Sequence, residues 1–179
     1  MVLTAKLGLQ LFQCDITAAF IHGRVPLEEE IYVHQPCGFK QGKGTEVLCL
    51  QRTLYGLCQS PRYFYKYFTE RLVKQGLTPL HFDPCLFLSS TLIVIIYVDD
   101  ILIYGWEEKE INDSIAQMKT EDVALHKEGT AERYLGVAIR QHKNQITFTQ
   151  IGLTKHIIDT LGLDSKYTTV VATPAERQH

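Results

Sequence analysis

No stretch of this chain approaches the ~20 consecutive apolar residues that a membrane-spanning helix needs. Met1 to Gly8 is too short to hold the apolar core of a secretory leader. There is no C-x-x-C pair. The five cysteines, Cys14, Cys37, Cys49, Cys58 and Cys85, are odd in number and widely spaced, which argues for free thiols in a reducing compartment. His81 and Cys85 stand at i, i+4, but no second pair lies near them to complete a zinc site. A basic excess is also missing: 18 Lys and Arg against 20 Asp and Glu give a net charge of -2, not the footprint of a stand-alone nucleic-acid binder. Low-complexity tracts and internal repeats are absent. The loop from Gly38 to Gly44 carries Lys40 and Lys43 but not the G-x-x-x-x-G-K-[ST] pattern of a phosphate cradle, and reads as a flexible connector.

What is present is enough apolar residue, 45% of 179, for one domain with a real core. Its organising stretch is Leu92 to Tyr104, in which Asp99 and Asp100 stand between two apolar, β-branched runs. The pattern predicts a strand over Leu92 to Val98, a strand over Ile101 to Tyr104 and the aspartates as the turn. Adjacent carboxylates on a stiff hairpin repel each other unless a cation sits beside them. The plain alternative is that Asp favours turns for its own local hydrogen bonding.

Leu9 to Cys14 reads as a buried strand delivering Asp15, and Ile16 to His22 as a short helical turn stopped by Gly23 and Pro26. Ile31 to Val33 and Val47 to Leu50 are short strands. Ser60 caps a helix with Pro61 in its first turn and Gly76 at its end, and Phe64, Phe68 and Leu72 mark its buried side. Tyr63, Tyr65 and Tyr67 flank that side, where they can pack or stack. Glu107 to Met118 is a second amphipathic helix, and Thr120 to Thr130 is polar and poorly periodic. Tyr134 to Arg140 and Gln145 to Thr149 flank Lys143-Asn144 as a second hairpin, and Leu153 to Leu161 is a last short helix. The order predicts an α+β domain: a split βαβ (ferredoxin-like) antiparallel sheet with helices on one face, in which Asp15 can neighbour the Asp99-Asp100 turn.

Three clustered acids suit two Mg2+ ions, which prefer oxygen ligands and keep water and substrate phosphate bound. Both a nucleotidyltransferase and a two-metal nuclease follow from the acids alone. Gly56 allows backbone to approach a ligand, and Gln59, Ser60 and Arg62 offer donors to phosphate or base. An ordinary capped helix start explains the same segment.

Taken together the motifs resemble one family. Gln13 to Gly23 (Q-C-D-I-T-A-A-F-I-H-G) is similar to the "Q-x-D-V-x-x-A-F-L-x-G" block of copia-type (Ty1/copia) retrotransposon reverse transcriptases. Glu29 to Val33 with Gln35-Pro36 and Gly38-Phe39 resembles its next block. Leu54 to Arg62 (L-Y-G-L-C-Q-S-P-R) is similar to "L-Y-G-L-K-Q-S-P-R", and Asp83 to Phe87 to "D-P-C-x-F". Tyr97 to Asp100 resembles the catalytic hairpin, Tyr134 to Gly136 the "F-L-G" landmark and Ala172 to Pro174 the terminal "T-P".

The resemblance implies a reverse-transcriptase palm over residues 1–163, with fingers largely missing because fourteen residues precede Asp15, and a tail over 164–179 towards a connection or RNase H region. It implies RNA-directed DNA polymerisation by Asp15, Asp99 and Asp100 as catalytic, metal-binding acids with two Mg2+, or Mn2+ in their place. Phe20 becomes the steric gate against a 2'-hydroxyl. Tyr55, Gly56, Gln59, Ser60, Pro61, Arg62 and Tyr97 line nucleotide and template, and Tyr134, Leu135 and Gly136 stand where the family grips the primer end. The implied partners are an RNA template, a DNA or RNA primer, deoxynucleoside triphosphates and the remaining Pol polyprotein regions (integrase, RNase H). No membrane is among them. The implied setting is intracellular, in a cytoplasmic virus-like particle or the nucleus. Cys58 stands where the family has Lys, and Thr120 to Val123 where it continues "Met-Lys-Asp-Leu-Gly". These departures support the other expectation, an inactive, truncated or decayed remnant serving at most as an interaction module. A nuclease leaves the polymerase blocks without a purpose.

Overall fold

The computed structural model describes residues 2–43, 45–120, 123, 125–142 and 145–163. The Lys143-Asn144 turn, Glu121-Asp122, Gly44, the Ala172 to Pro174 landmark and the tail over 164–179 lie outside the described residues. The chain divides into two compact units, Met1–Ala131 and Glu132–His179. The sequence draws its boundary at 163/164 instead, because no change of composition marks Ala131.

In the first unit, six strands form one sheet in the order β4-β5-β6-β7-β1-β8. These are β1 (Gln10–Ile16), β4 (Thr78–Pro79), β5 (Leu86–Leu88), β6 (Leu92–Tyr97), β7 (Asp100–Gly105) and β8 (Leu125–Thr130). Every neighbouring pair is antiparallel. The helices α3 (Ser60–Lys74) and α4 (Glu108–Thr120) follow β1 and β7 in the chain and precede β6 and β8. Their apolar stripes, Phe64, Phe68 and Leu72 on α3 and Ile111, Ile115 and Met118 on α4, join Cys14, Ile16, Val94, Ile96, Ile101 and Ile103 in one core. Strand side chains alternate between faces, so both helices cover the face of Cys14, Ile16, Ile101 and Ile103. Burying each of these large apolar side chains stabilises by ~1.5–3 kcal/mol. Asp15 and Asp100 therefore belong to the other face, with Leu11, Leu102 and Tyr104, which are also buried.

Several sequence expectations are corrected here. The polar stretch from Thr120 to Thr130 contains β8, which pairs with β1 although its sequence lacks alternation. Its register slips at Gln13/Cys14, where Glu128 is the extra residue and Gly129 takes φ +113°. Lys127 fixes this strand to α4: its ammonium donates to Glu108 Oε1 at 2.7 Å and Asn112 Oδ1 at 2.8 Å while lying 3.7 Å over the Phe12 ring. Tyr63 and Tyr67, expected on the flanks of α3, are buried. His81 to Cys85 is not helical: Asp83 Oδ1 accepts the Cys85 N–H at 3.0 Å in a side-chain turn. The helix α1 (Val2–Leu7) went unforeseen, and its Thr4 carbonyl accepts the Leu9 N–H at 3.2 Å.

A smaller hairpin joins β2 (Tyr32–His34) to β3 (Val47–Cys49). Its loop is tied across rather than free: Gln35 Oε1 accepts the Gln41 N–H at 2.5 Å, and Gln35 Nε2 donates to the Glu46 carbonyl at 3.0 Å. In the second unit, β9 (Arg133–Tyr134), β10 (Val137–His142) and β11 (Gln145–Thr149) form an antiparallel meander, followed by α5 (Ile151–Thr160). The single strand expected over Tyr134 to Arg140 is instead two strands. Leu135 (φ +47°) and Gly136 (φ +79°) make the two-residue turn between them, both left-handed as a type I′ turn requires.

Candidate active site

The carboxylates come together through strand register. Asp15 on β1 lies directly opposite Asp100 on β7, and Asp100 lies opposite Tyr97 on β6. The hairpin is tighter than the sequence suggests: Asp100 is a strand residue, and Val98 and Asp99 form the turn. Val98 takes φ +58°, a region that β-branched residues avoid. The Asp99 carbonyl accepts the Ile16 N–H at 3.2 Å, which ties the turn to the end of β1. Beneath this row, Cys14 and Ile101 are completely buried, so the acids stand on a rigid floor. Residues directly opposite in an antiparallel pair hold their Cβ atoms ~4.5–5.5 Å apart, and like charges there are destabilising. The Asp100 carboxyl is accordingly pushed above its usual range, first by burial and then by the Asp99 and Asp15 charges.

These donors suit a hard divalent cation in chemistry, being carboxylate oxygens in mutual repulsion. Among the described residues, no group of three or more His, Cys, Asp and Glu side chains is arranged to hold a metal ion. Backbone register supplies the proximity, and side-chain rotation has to supply the convergence.

The row continues to a residue that the sequence reading missed. His126 on β8 lies opposite Asp15 on the side away from Asp100. No sequence signal marks it, because β8 is itself illegible.

Phe20 lies in α2 (Ala19–His22), after Ala18 in the left-handed region at φ +53°. Its ring stands 4.7 Å from the exposed Tyr55 ring and 6.4 Å, edge-on, from Phe64 of the core. Thr53, also unforeseen, is fully buried and holds α2 in place: its hydroxyl donates to the Phe20 carbonyl and its N–H to the Gly23 carbonyl at 2.9 Å. Gly23 is needed there, since a Cβ would stand 2.6 Å from Thr53 Oγ1 and 3.0 Å from the Phe64 nitrogen.

Gly56 has φ +95° with open space around it, and Gln59, Pro61 and Arg62 are exposed at the start of α3. Ser60 differs. Gln59, not Ser60, is the residue before the helix, and the Ser60 hydroxyl is buried, donating to the Leu54 carbonyl at 2.6 Å. It closes the Leu54 to Gln59 turn rather than offering a free donor. Tyr134, Leu135 and Gly136 belong to the second unit.

A sequence model described as "Reverse transcriptase (RNA-dependent DNA polymerase)" matches residues 1–177. The chain belongs to that family. It is 34% identical, over 76% of its length, to the Retrovirus-related Pol polyprotein from transposon TNT 1-94 of Nicotiana tabacum. It is 29% identical over 90% of its length to the polyprotein from transposon RE2 of Arabidopsis thaliana, and 25% over 83% to the Truncated transposon Ty1-A Gag-Pol polyprotein of Saccharomyces cerevisiae. The matches cover 10%, 11% and 12% of those proteins, so this reverse-transcriptase chain spans about a tenth of each relative's length. The homology is to Ty1/copia-type Pol polyproteins. No helix among the described residues is long and apolar enough to cross a membrane.

Proposed function

We propose that this chain is the palm region of a copia-type RNA-directed DNA polymerase, extending a DNA or RNA primer on an RNA template. One observation carries the reading: Asp15 and Asp100 are cross-strand neighbours, with Asp99 in the adjoining turn, on the sheet face opposite the two helices. The strand order β6-β7-β1-β8, with α3 and α4 as crossovers, supports the split βαβ palm.

Asp15, Asp99 and Asp100 would hold Mg2+, or Mn2+ in its place. When bound, such ions lower the pKa of the attacking primer hydroxyl and steady the leaving oxygen of the triphosphate. The chain's own residues do the positioning. Phe20, backed by Phe64 and held by Thr53, presents a ring edge to the sugar and leaves no room for a 2'-hydroxyl. Tyr55 and Gly56 with Gln59, Pro61 and Arg62 flank the nucleotide and template, and Ser60 shapes that turn from beneath. Tyr97, exposed beside Asp100, borders the primer terminus. Tyr134, Leu135 and Gly136, in the second unit, would hold the primer. Connection, RNase H and integrase regions of a Pol polyprotein are the natural partners, and the setting is intracellular.

A second reading is a folded module without nucleotide turnover. It is favoured by the absence, among the described residues, of a convergent metal-holding group. Mg2+-dependent extension of a primed RNA template separates the two. Extension by the wild-type chain that falls on the order of 10³-fold in Asp99→Asn supports the polymerase, by analogy with loss of a single transition-state-stabilising group. A well-folded wild-type chain that extends nothing supports the module.

A further inference from the structure

A basic groove lies on the helix-covered side of the first unit, away from the carboxylate row. It measures about 300 Å³ and is lined by Arg24, Lys66, Arg71 and Lys74 over the buried rings of Tyr63 and Tyr67. Arg24 also lines an adjoining depression of about 380 Å³ together with Arg52. Five cations thus share one continuous surface in a chain whose net charge is -2.

Two features distinguish this surface from an ordinary solvated helix face. First, Arg24 and Arg52 are directly opposite each other in an isolated antiparallel bridge. Like charges in that position repel each other and are destabilising. Among the described residues, no ion pair engages Arg24, Arg52 or Lys66, whereas Lys127 is paired with Glu108. Second, Arg71 is preset. Its guanidinium stacks 3.4 Å over the Tyr67 ring while its Nη1 donates to the Tyr67 carbonyl at 2.8 Å, which fixes the plane of the fork. Lys66 and Lys74 are eight residues apart on α3, about 12 Å along the helix. Three carboxylates border the surface: Glu70 in the wall, Glu29, which accepts the Tyr63 hydroxyl, and Glu28, whose charge also acts on Tyr63. The cations outnumber them.

We propose that this groove binds the sugar-phosphate backbone of a single-stranded nucleic acid, as a contact separate from the carboxylate site. The inference rests on the polymerase reading for the kind of polyanion, because a chain of near-neutral charge that handles a template must concentrate its positive charge locally. An elongated set of cations with buried rings beneath them offers phosphate contacts and no base readout, so binding is insensitive to sequence.

The test is fluorescence anisotropy of a labelled single-stranded RNA with the full chain in EDTA, titrated with salt. The variant is Arg24→Gln/Arg52→Gln/Lys66→Gln, three exposed changes, with thermal melting as the fold control. Each lost phosphate contact on a single strand removes ~0.7 from the log-log salt slope. The triple variant is expected to lose about 2 from that slope, which is on the order of 100-fold weaker binding at 0.1 M salt. Asp99→Asn is expected to bind like the wild type, and a wild-type chain that binds RNA but extends no primer would count against the polymerase reading alone. An unchanged slope in the triple variant, or no RNA binding by the wild type, overturns the groove. Binding of poly-glutamate as tight as RNA of equal charge also overturns it, in favour of an acidic protein partner.

Discussion

Two places in this molecule set like charges directly across an antiparallel pair: Asp15 against Asp100 and Arg24 against Arg52. Their foundations differ. The acids belong to seven- and six-residue central or near-central strands, with completely buried Cys14 and Ile101 on the face beneath. The arginines share one isolated bridge, both exposed, joined to the core through Thr53 and Gly23. A rigid floor fixes a repulsive pair within a fraction of an ångström, which suits a small, geometrically demanding cation. A thin bridge allows two long side chains to spread along an extended polyanion. The same electrostatic conflict is thus built stiff where geometry matters and compliant where charge density matters.

Breaking the floor should have the largest effect. Ile101→Ala removes a fully buried side chain shared with α3 and α4, and is expected to cost ~2–5 kcal/mol in urea unfolding. Arg52→Ala, on the compliant side, is expected to stay within ~0.5 kcal/mol. Equal losses would abolish the distinction.

Alkali tests the same floor without mutation. Burial pushes the Cys14 thiol from 9.0 to about 12, with nearby Lys127 opposing the shift. A raised acid pKa means that the folded chain holds its proton while the unfolded chain gives it up. The thiol's contribution is therefore complete below pH 9 and is lost as pH rises towards 12. At pH 10.5 the loss is ~2 kcal/mol, at about 1.36 kcal/mol per pH unit. Cys14→Val should remove this component of the alkaline decline. In the native state, Cys37, Cys49 and Cys58, all exposed, should react with a thiol reagent well before Cys14.

The stiff region was also the legible one. The β-branched runs around Asp99 and the four-residue spacing of Phe64, Phe68 and Leu72 announce β6, β7 and α3, because burial imposes a period on the sequence. β8 escaped because it is an edge strand. Its Lys127 and Glu128 are the charges that protect an edge, and they erase the alternation that would reveal it. His126 was lost with it. Thr53 escaped for another reason: a single buried threonine serving two distant carbonyls, one through its hydroxyl and one through its N–H, has no sequence pattern at all. Ser60 was legible as a helix-start residue but not in its role, since the cap geometry moved one position to Gln59. The turn at Leu135-Gly136 was hidden because Leu is a poor advertisement for a left-handed position.

Thr53 offers an intermediate test from the compliant side. Thr53→Val keeps the shape and removes the hydroxyl that donates to the Phe20 carbonyl. That carbonyl keeps the Gly23 N–H at 3.0 Å, so losing the hydroxyl donor should cost ~0.5–1.5 kcal/mol. Because the latch also seats Phe20, the variant of an active chain should discriminate less against ribonucleotides, measured as the ratio of kcat/KM for deoxy and ribo substrates. Lost stability with unchanged discrimination would separate Thr53 from the gate.

The smallest effects are the most telling, because they change sign with the counter-ion. Asp100→Asn relieves the acid pair and Arg24→Gln the basic pair, and each should raise metal-free stability by ~0.2–1 kcal/mol. Mg2+ should then stabilise the wild type and Arg24→Gln but not Asp100→Asn, and single-stranded RNA in EDTA should stabilise the wild type and Asp100→Asn more than Arg24→Gln. Ligand binding to the native state adds RT ln(1 + [L]/Kd), about 2.7 kcal/mol at a hundredfold excess over Kd, so thermal melts resolve the crossover. Such a crossover would mean that each repulsive pair is a site waiting for its own opposite charge. If both ligands act alike on both variants, the pairs are merely tolerated strain, and neither the rigid floor nor the thin bridge has been shaped by what it binds.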